Sequence, residues 1–119
     1  MNVALVGASP KPDRYAYMAF KRLLEKGHHV YLVHPIHKEI EGHPVFPTLS
    51  AIPDPIDTLT FYVSAEKSSS MTADILALHP RRLIFNPGAE NSELAKAAEA
   101  TGILTMDACT LVMLSTHQF

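Results

Sequence analysis

Residues 3–33 read VALVGASPKPDRYAYMAFKRLLEKGHHVYLV, and the hydrophobic period of this stretch changes twice. Val3–Val6 is a continuous apolar run, which is typical of a strand that is buried on both faces. Apolar residues then recur at helical spacing over 16–24, and a second apolar run follows at Val30–Val33. A strand, a helix and a strand in a stretch of this length have the size of one βαβ unit.

The rest of the chain repeats this alternation. Asp13 is placed to cap the first helix and Gly27 to end it. The segment 34–57 contains five prolines and no sustained period, so we expect loops there with one helical turn near Leu49–Ile52. Further strands are predicted at 58–64, 83–85 and 103–106, and further helices at 67–78 and from Asn91 or Ser92 to Gly102. The pattern predicts a three-layer α/β fold in one domain, 1–119, with a parallel sheet of about five strands.

Composition excludes several classes of protein. A chain of 119 residues with 47% hydrophobic and 18% charged residues can bury a core, which argues against disorder. The formal net charge of −2 argues against a nucleic-acid binder that works by broad phosphate neutralisation. No apolar run is long enough to cross a bilayer, so we expect no membrane partner. The single cysteine, Cys109, cannot form an internal disulfide, and we expect a cytoplasmic protein.

The loops that follow the predicted strands carry the candidate functional residues, because ligands of open parallel sheets bind outside the carboxyl ends of the strands. The first such loop contains five candidates, Gly7, Ala8, Ser9, Lys11 and Arg14. A glycine turn, a hydroxyl, two cations and the start of a helix are features that suit an anion. Two prolines in the loop lack N–H groups, so side chains should do more of the binding than in a glycine-rich loop.

The second strand ends differently from that of an NAD-binding domain. The fingerprint G-x-G-x-x-G is absent, since only its first glycine, Gly7, is present. An NAD site would place an acidic residue after the second strand to accept from the ribose 2′-OH, whereas His34 and Pro35 stand there with Lys38 nearby. A cation suits a ribose phosphate better than a free ribose. On these features alone, phosphate binding and a simple strand-ending turn both stay open.

Other candidates favour structural roles. Five histidines lie within residues 28–43, but no cysteine or carboxylate completes a recognisable ligand set, so we assign no metal site. Cys109 stands at a strand end, and we interpret it as an inert buried thiol rather than as a nucleophile. Glu66 and Glu90 suit helix starts better than a pair of catalytic acids. We therefore assign no catalytic residue. Tyr15 and Tyr17 are candidates either for ligand contact or for packing on the protein.

The chain resembles the small stand-alone coenzyme A-binding proteins, whose Rossmann-like domain is similar to the N-terminal part of the α subunit of succinyl-CoA synthetase. The resemblance covers essentially the whole chain. It is carried by VGASPKPDRYAY (6–17), GHHVYLVHPIHKEIEGHPVFPTLSAIP (27–53), IDTLTFYVSAE (56–66), NPGAEN (86–91) and ACTLV (108–112). Two positions depart from the family: His34 replaces its usual asparagine and Asn86 its usual glutamine.

The resemblance implies coenzyme A as the ligand and assigns parts of it to residues. Gly7, Ala8, Ser9 and Arg14 would face the pyrophosphate, with Lys11 adding charge. Pro35 and Lys38 would lie beside the adenosine 3′-phosphate, and His34 would hydrogen-bond from the same loop. Val63 and Ser64 would flank the adenine or ribose, and Pro87 and Gly88 would lie along the pantetheine.

Two classes of function follow from these interpretations. The first is a coenzyme A- or acyl-CoA-binding module without catalysis of its own, acting as a carrier, sensor or regulatory partner. The alternative is a small enzyme of the same fold that uses acyl-CoA or NAD(P). The first is favoured, because 119 residues leave no room for a substrate domain. The sequence does not determine the oligomeric state, and a homodimer is among the assemblies that it leaves undecided.

Overall fold

The computed structural model describes residues 1–119 and contains one sheet of seven strands. In chain order the strands are β1 (Asn2–Val6), β2 (His29–Val33), β3 (Glu39–Ile40), β4 (His43–Phe46), β5 (Thr58–Phe61), β6 (Arg82–Phe85) and β7 (Leu104–Asp107). Across the sheet they lie in the order β3-β4-β2-β1-β5-β6-β7, and β3 runs antiparallel to its neighbour while all other pairs are parallel. The predicted Rossmann-like α/β class is confirmed, with seven strands where about five were expected.

The two unexpected strands, β3 and β4, form a hairpin in the proline-containing segment that the sequence pattern assigns to loops. Glu41, at φ +50°, and Gly42, at φ +81°, make the turn between them. Strands of two and four residues are too short to show a period. Pro44 also argues against a strand, but β4 pairs with β2 only through Val45 and Phe46, so the sheet tolerates the proline.

Five helices and a 3₁₀ turn cover the sheet: α1 (Tyr15–Glu25), the 3₁₀ turn (Leu49–Ala51), α2 (Ala65–Ser69), α3 (Thr72–Leu78), α4 (Ser92–Glu99) and α5 (Thr110–Ser115). The predicted helical turn near Leu49–Ile52 is confirmed. None of these helices has the length and apolar character needed to span a bilayer.

The side chains of β1 alternate between two hydrophobic clusters, one on each face of the sheet. Val3 and Leu5 pack with residues of α1 and α5. Ala4 and Val6 pack with residues of α3, α4 and the 3₁₀ turn. All four are at most 2% exposed, so the strand is buried on both faces as its continuous apolar run predicts. The protein therefore has the three layers expected from the alternation of strands and helices.

The first helix does not use the predicted cap. It begins at Tyr15 after an extended Arg14, and no side chain caps it. The Arg14 N–H donates to the Lys11 carbonyl at 3.1 Å, so a turn in the preceding loop takes Asp13 away from the cap position. The Asp13 prediction is therefore wrong. Gly27 stands at the other end with φ +82°, and its predicted role in ending the helix is confirmed.

The helix predicted at 67–78 is two helices, α2 and α3. Hydroxyl groups break it: Ser70 donates to the Lys67 carbonyl at 2.6 Å and Thr72 to the Ser69 carbonyl at 2.7 Å, which replaces continuous helical bonding. The predicted stop before Pro80 is confirmed, with His79 in the left-handed region. The cap of α4 is Asn91, whose side chain accepts from the N–H of residue 94 at 3.0 Å.

Candidate functional site

The strand order places a crevice at the carboxyl edge of the sheet, between β1 and β5. The chain leaves β1 for β2 on one side and later returns to β5 on the other, which is the switch point where open α/β sheets bind ligands. The loops that border the crevice are 7–14 after β1, 34–38 after β2 and 62–64 after β5. All predicted binding residues except Pro87 and Gly88, which follow β6, lie in these loops, and the structure brings the three loops side by side.

Gly7 lies at a close approach between two of these loops, those after β1 and β5. It has φ +95°, and a Cβ placed on it would meet Val63 Cγ1 at 2.8 Å and the Tyr62 carbonyl oxygen at 3.0 Å. Only glycine satisfies both the left-handed backbone and this approach. Gly7 therefore allows the loop after β1 to pack against the loop after β5.

Few backbone donors of the first loop are free. The N–H groups of Gly7 and Ala8 both donate to the Val33 carbonyl, at 3.0 and 3.2 Å. The Lys11 N–H donates to Ser9 Oγ at 3.2 Å, and the two prolines have no N–H. The remaining backbone donors are the N–H groups of Ser9 and Asp13 and the first N–H groups of α1, which no side chain caps. Gly7 and Ala8 thus shape the loop rather than offer donors to a ligand.

Cations near the carboxyl edge have no carboxylate partner. Lys11, Arg14 and Lys38 are exposed, and so is Lys67 on α2, a residue that the sequence analysis did not select. The three ion pairs of the protein involve other residues, namely Lys21–Glu41, Arg22–Glu25 and Arg81–Asp57. The four unpaired cations therefore stand at this edge together with the exposed and equally unpaired carboxylates of Asp13 and Glu66.

Lys38 lies farther from the crevice than the other cations. Its carbonyl accepts from the Val45 N–H at 3.0 Å, which places it beside β4 at the start of the β3–β4 hairpin. Two strand spacings of about 4.8 Å each separate that position from β2, and three separate it from β1. A ligand that contacts both Arg14 and Lys38 must therefore extend along the edge of the sheet.

His34 is fixed by its own loop. Its Nδ1 accepts from the N–H of Ile36 at 3.1 Å and from the N–H of His37 at 3.4 Å. Desolvation lowers the pKa of His34, and the neighbouring His37 and Lys67 lower it further. A neutral ring with Nδ1 as acceptor carries its proton on Nε2, which is the atom available to a ligand. The rings of His34 and His37 have their centroids 4.3 Å apart, and no three groups of metal-ligating type converge in the protein.

Asn86 holds three elements together. Its amide nitrogen donates to Thr60 Oγ1 at 2.7 Å and to the Phe61 carbonyl at 2.9 Å, and its amide oxygen accepts from the Thr110 N–H at 2.8 Å. The side chain is 3% exposed, so all these partners lie in the interior. Asn86 thus fixes the end of β6 to β5 and to the start of α5, and both of its amide hydrogens are used inside the protein.

The remaining predicted residues lie around the same edge. Ser64 caps α2 by accepting from the Lys67 N–H at 3.4 Å, and Val63 is half-buried against the core. Pro35 is exposed in the loop after β2, and Pro87 and Gly88 are exposed after β6. The Gly88 N–H donates to Glu90 Oε1 at 2.9 Å, so Glu90 has a structural partner.

The two tyrosines of α1 differ in environment. The Tyr17 hydroxyl donates to Glu41 at the tip of the β3–β4 hairpin, so Tyr17 packs on the protein. Tyr15 is 71% exposed beside the first loop and is free to contact a ligand. The structure thus separates two residues that the sequence could not distinguish.

Tyr62 is a second residue that the sequence analysis did not select. Its hydroxyl is buried with no hydrogen-bond partner, near the hydroxyls of Thr60 and Thr110, which bond each other at 2.8 Å. Burial raises the pKa of Tyr62 to about 12. The half-buried Cys109 stands just before α5 in the same region. A phenol with so high a pKa stays protonated at neutral pH and cannot act as a base there.

Comparisons with known proteins identify the family of the chain. A family model described as a CoA binding domain matches residues 1–115. The uncharacterized protein YneT of Bacillus subtilis (strain 168) is 26% identical over 112 residues, covering 93% of this chain and 83% of that protein. The ADP-forming acetate–CoA ligase I of Archaeoglobus fulgidus is 34% identical over 64 residues, covering 54% of this chain and 9% of that protein.

Solved structures share the whole fold. The crystal structure of an uncharacterized protein superimposes with a TM-score of 0.93 at 38% identity, covering 99% of this chain and 97% of that one. The match of the family model extends over nearly all of the chain and includes every loop at the carboxyl edge. With its Rossmann-like sheet and the crevice beside β1, the chain belongs to the CoA-binding domain family.

Proposed function

We propose that this protein binds coenzyme A or an acyl-CoA at the crevice beside β1 and performs no reaction on it. One observation carries the proposal: unpaired cations stand at the carboxyl edge of a domain of the CoA-binding family. Coenzyme A carries a pyrophosphate and a 3′-phosphate, so a CoA site needs separated positive groups. Arg14 and Lys38 are separated along this edge and fit those two groups.

The proposed contacts follow the course of the ligand along the edge. Ser9, Lys11 and Arg14 contact the pyrophosphate, and Gly7 and Ala8 give the loop its shape. Lys38 and Pro35 lie beside the adenosine 3′-phosphate. Val63 and Ser64 flank the adenine or ribose. Pro87 and Gly88 lie along the pantetheine.

The absence of a reaction is proposed from the state of the groups near the crevice. Asn86, Thr60 and Thr110 already bond one another, so none of them is free to act as an acid or base. The Tyr62 phenol, with a pKa of about 12, is protonated at neutral pH. A carrier, sensor or regulatory role in the cytoplasm is the setting that we propose for such a module.

Thermal unfolding with coenzyme A and with NAD tests the ligand class. At a free ligand concentration of about 100 times the dissociation constant, binding stabilises the fold by about 2.7 kcal/mol, which raises Tm by several degrees in a domain of this size. We expect coenzyme A to raise Tm more than NAD at equal concentration. A larger shift with NAD would overturn the proposal.

Incubation of the purified protein with acetyl-CoA and succinyl-CoA tests the absence of chemistry. We expect no synthesis or hydrolysis of either thioester above the rate in buffer. The thiol of Cys109 is the group most able to contradict this expectation. Sustained turnover that disappears in Cys109→Ala would identify the protein as an enzyme.

A further inference from the structure

We propose that Lys67 and the Nε2–H of His34 bind the pyrophosphate from either side of the first loop and supply donors that most backbone amides of that loop cannot. This inference rests on the proposed function, because it names the groups that recognise one part of the same ligand. The first loop follows β1, and β1 lies between β2, which ends at His34, and β5, which leads to Lys67.

The need for additional donors comes from the first loop itself. In glycine-rich phosphate loops, successive backbone N–H groups point at the ligand. Here two of those groups, on Gly7 and Ala8, are used by the Val33 carbonyl, and a third, on Lys11, is used by Ser9. Pro10 and Pro12 remove two more. The N–H groups left free are those of Ser9, Asp13 and the first turn of α1, so a pyrophosphate in this crevice would take the rest of its hydrogen bonds from side chains of the neighbouring loops.

His34 is prepared to donate from the β2 side. Two backbone N–H groups hold its Nδ1, which fixes the tautomer with the proton on Nε2 and fixes the orientation of the ring. A donor whose proton and orientation are set in advance loses little entropy when a ligand binds. The ring is only partly exposed, so a hydrogen bond from Nε2 would be shielded from water.

Lys67 supplies charge from the β5 side. It lies on α2, which begins after Ser64, and its ammonium is in no ion pair. The ammonium is near enough to His34 to contribute, with desolvation and His37, to the lowered pKa of that imidazole. Two positively polarised groups of this kind disfavour each other when no anion lies between them. An anion between them removes that conflict and binds to both.

The first experiment examines the proximity of the two residues without any ligand. The imidazole signals of His34 are followed by NMR during a pH titration of the wild type, Lys67→Gln and Lys26→Gln. Loss of the neighbouring cation should raise the pKa of His34 in Lys67→Gln. Lys26 ends α1 at the opposite edge of the sheet, so the same charge change there should leave that pKa unaltered. An unaltered pKa in Lys67→Gln would overturn the inference, whatever the protein binds.

The second experiment measures binding to coenzyme A, 3′-dephospho-coenzyme A and ADP by titration calorimetry. All three contain a pyrophosphate, so Lys67→Gln should weaken each of them about tenfold, the scale of one charge-assisted hydrogen bond. Lys26→Gln should bind all three like the wild type. In the wild type, each ligand should also raise the pKa of His34, because a nearby anion favours the imidazolium.

The outcomes separate this inference from the proposed function. Wild-type protein that binds coenzyme A, together with Lys67→Gln that binds all three ligands equally well, would overturn the roles of Lys67 and His34 and leave the CoA site in place. Wild-type protein that binds none of the three would overturn both. Weakening confined to coenzyme A would mean that Lys67 reads the 3′-phosphate, and the inference as stated would be wrong.

Discussion

Val63 fills the space that a side chain on Gly7 would need, with its Cγ1 only 2.8 Å from the position of a Cβ there. The contact joins the loops after β1 and β5 at the switch point of the sheet. Because Gly7 also has φ +95°, one residue satisfies a backbone requirement and a packing requirement together. The shape of the crevice therefore depends on a glycine that needs no direct bond to a ligand.

Gly7→Ala should lower both the stability of the fold and its affinity for coenzyme A. The left-handed backbone alone costs about 1–2 kcal/mol for a residue with a Cβ, and displacement of Val63 adds to that cost. Gly27→Ala is the matched control, since Gly27 has φ +82° but no atom within 4 Å of its Cβ position. Urea unfolding of both variants checks the prediction. Equal destabilisation of the two variants would mean that the contact with Val63 costs nothing.

Asn86→Ala should destabilise the protein by about 2–3 kcal/mol. The substitution leaves the buried Thr110 N–H without an acceptor and removes the two bonds that the Asn86 amide donates, to Thr60 Oγ1 and to the Phe61 carbonyl. Asn2→Ala is the control, because the Asn2 amide makes a single exposed bond, to the Pro55 carbonyl at 2.8 Å. We expect the control to lose about 0.5 kcal/mol or less in the same unfolding measurement. A comparable loss in both variants would contradict the structural role of Asn86.

Arg14→Ala and Lys38→Ala should affect different parts of the ligand. Arg14→Ala should weaken coenzyme A and its 3′-dephospho form alike, because both carry the pyrophosphate. Lys38→Ala should weaken coenzyme A by about 1–2 kcal/mol and leave the dephospho form nearly unchanged. Calorimetry on the wild type and both variants with both ligands compares, for each variant, the loss of affinity for coenzyme A with the loss for the dephospho form. Added salt should reduce the Lys38 effect, since exposed charges are screened over about 8–10 Å.

Two results would change these assignments. Equal losses for both ligands in Lys38→Ala would place Lys38 away from the 3′-phosphate. If Arg14→Ala binds both ligands as tightly as the wild type, then the Arg14 side chain holds no phosphate. The loop after β1 would then be, for that side chain, only the turn that ends a strand.

Asp57 should make the free energy of unfolding depend on pH in the acidic range. Arg81 donates two hydrogen bonds to its carboxylate, at 3.0 and 3.1 Å, and with Thr58 it lowers the pKa of Asp57 below the ordinary value of 3.8. A carboxyl group whose pKa is lower in the folded state stabilises the fold above its unfolded pKa. That contribution is lost as the pH falls from about 5 through the folded pKa.

Arg81→Gln should therefore reduce the free energy of unfolding at pH 6 more than at pH 2. The difference should be about 0.2–1 kcal/mol, because Arg81 is half exposed and water screens the pair. Lys26→Gln removes the same charge without breaking a pair and should show no such difference. Chemical unfolding at the two pH values measures both variants. An equal effect of Arg81→Gln at both values would contradict the role of the pair.

Most of the fold could be predicted from local patterns, that is, from residues that lie near one another in sequence. The continuous run at Val3–Val6, the helical spacing that follows it and the stop at Gly27 each express a local preference, and the structure agrees with all three. Repetition of that unit requires a parallel sheet with covered faces, and so it also fixes which loops share the carboxyl edge. The predicted binding residues could be placed at that edge without knowledge of any contact.

Tertiary structure alone decided how those residues are used. The sequence makes Gly7 and Ala8 available as donors, but the folded chain gives both N–H groups to the Val33 carbonyl. The sequence shows only that Asn86 replaces the family's usual glutamine, whereas the sheet order surrounds its side chain with buried partners 24–26 residues away along the chain. Hydrophobic period reports which face of an element is buried, whereas the partner of each polar group depends on which strands become neighbours.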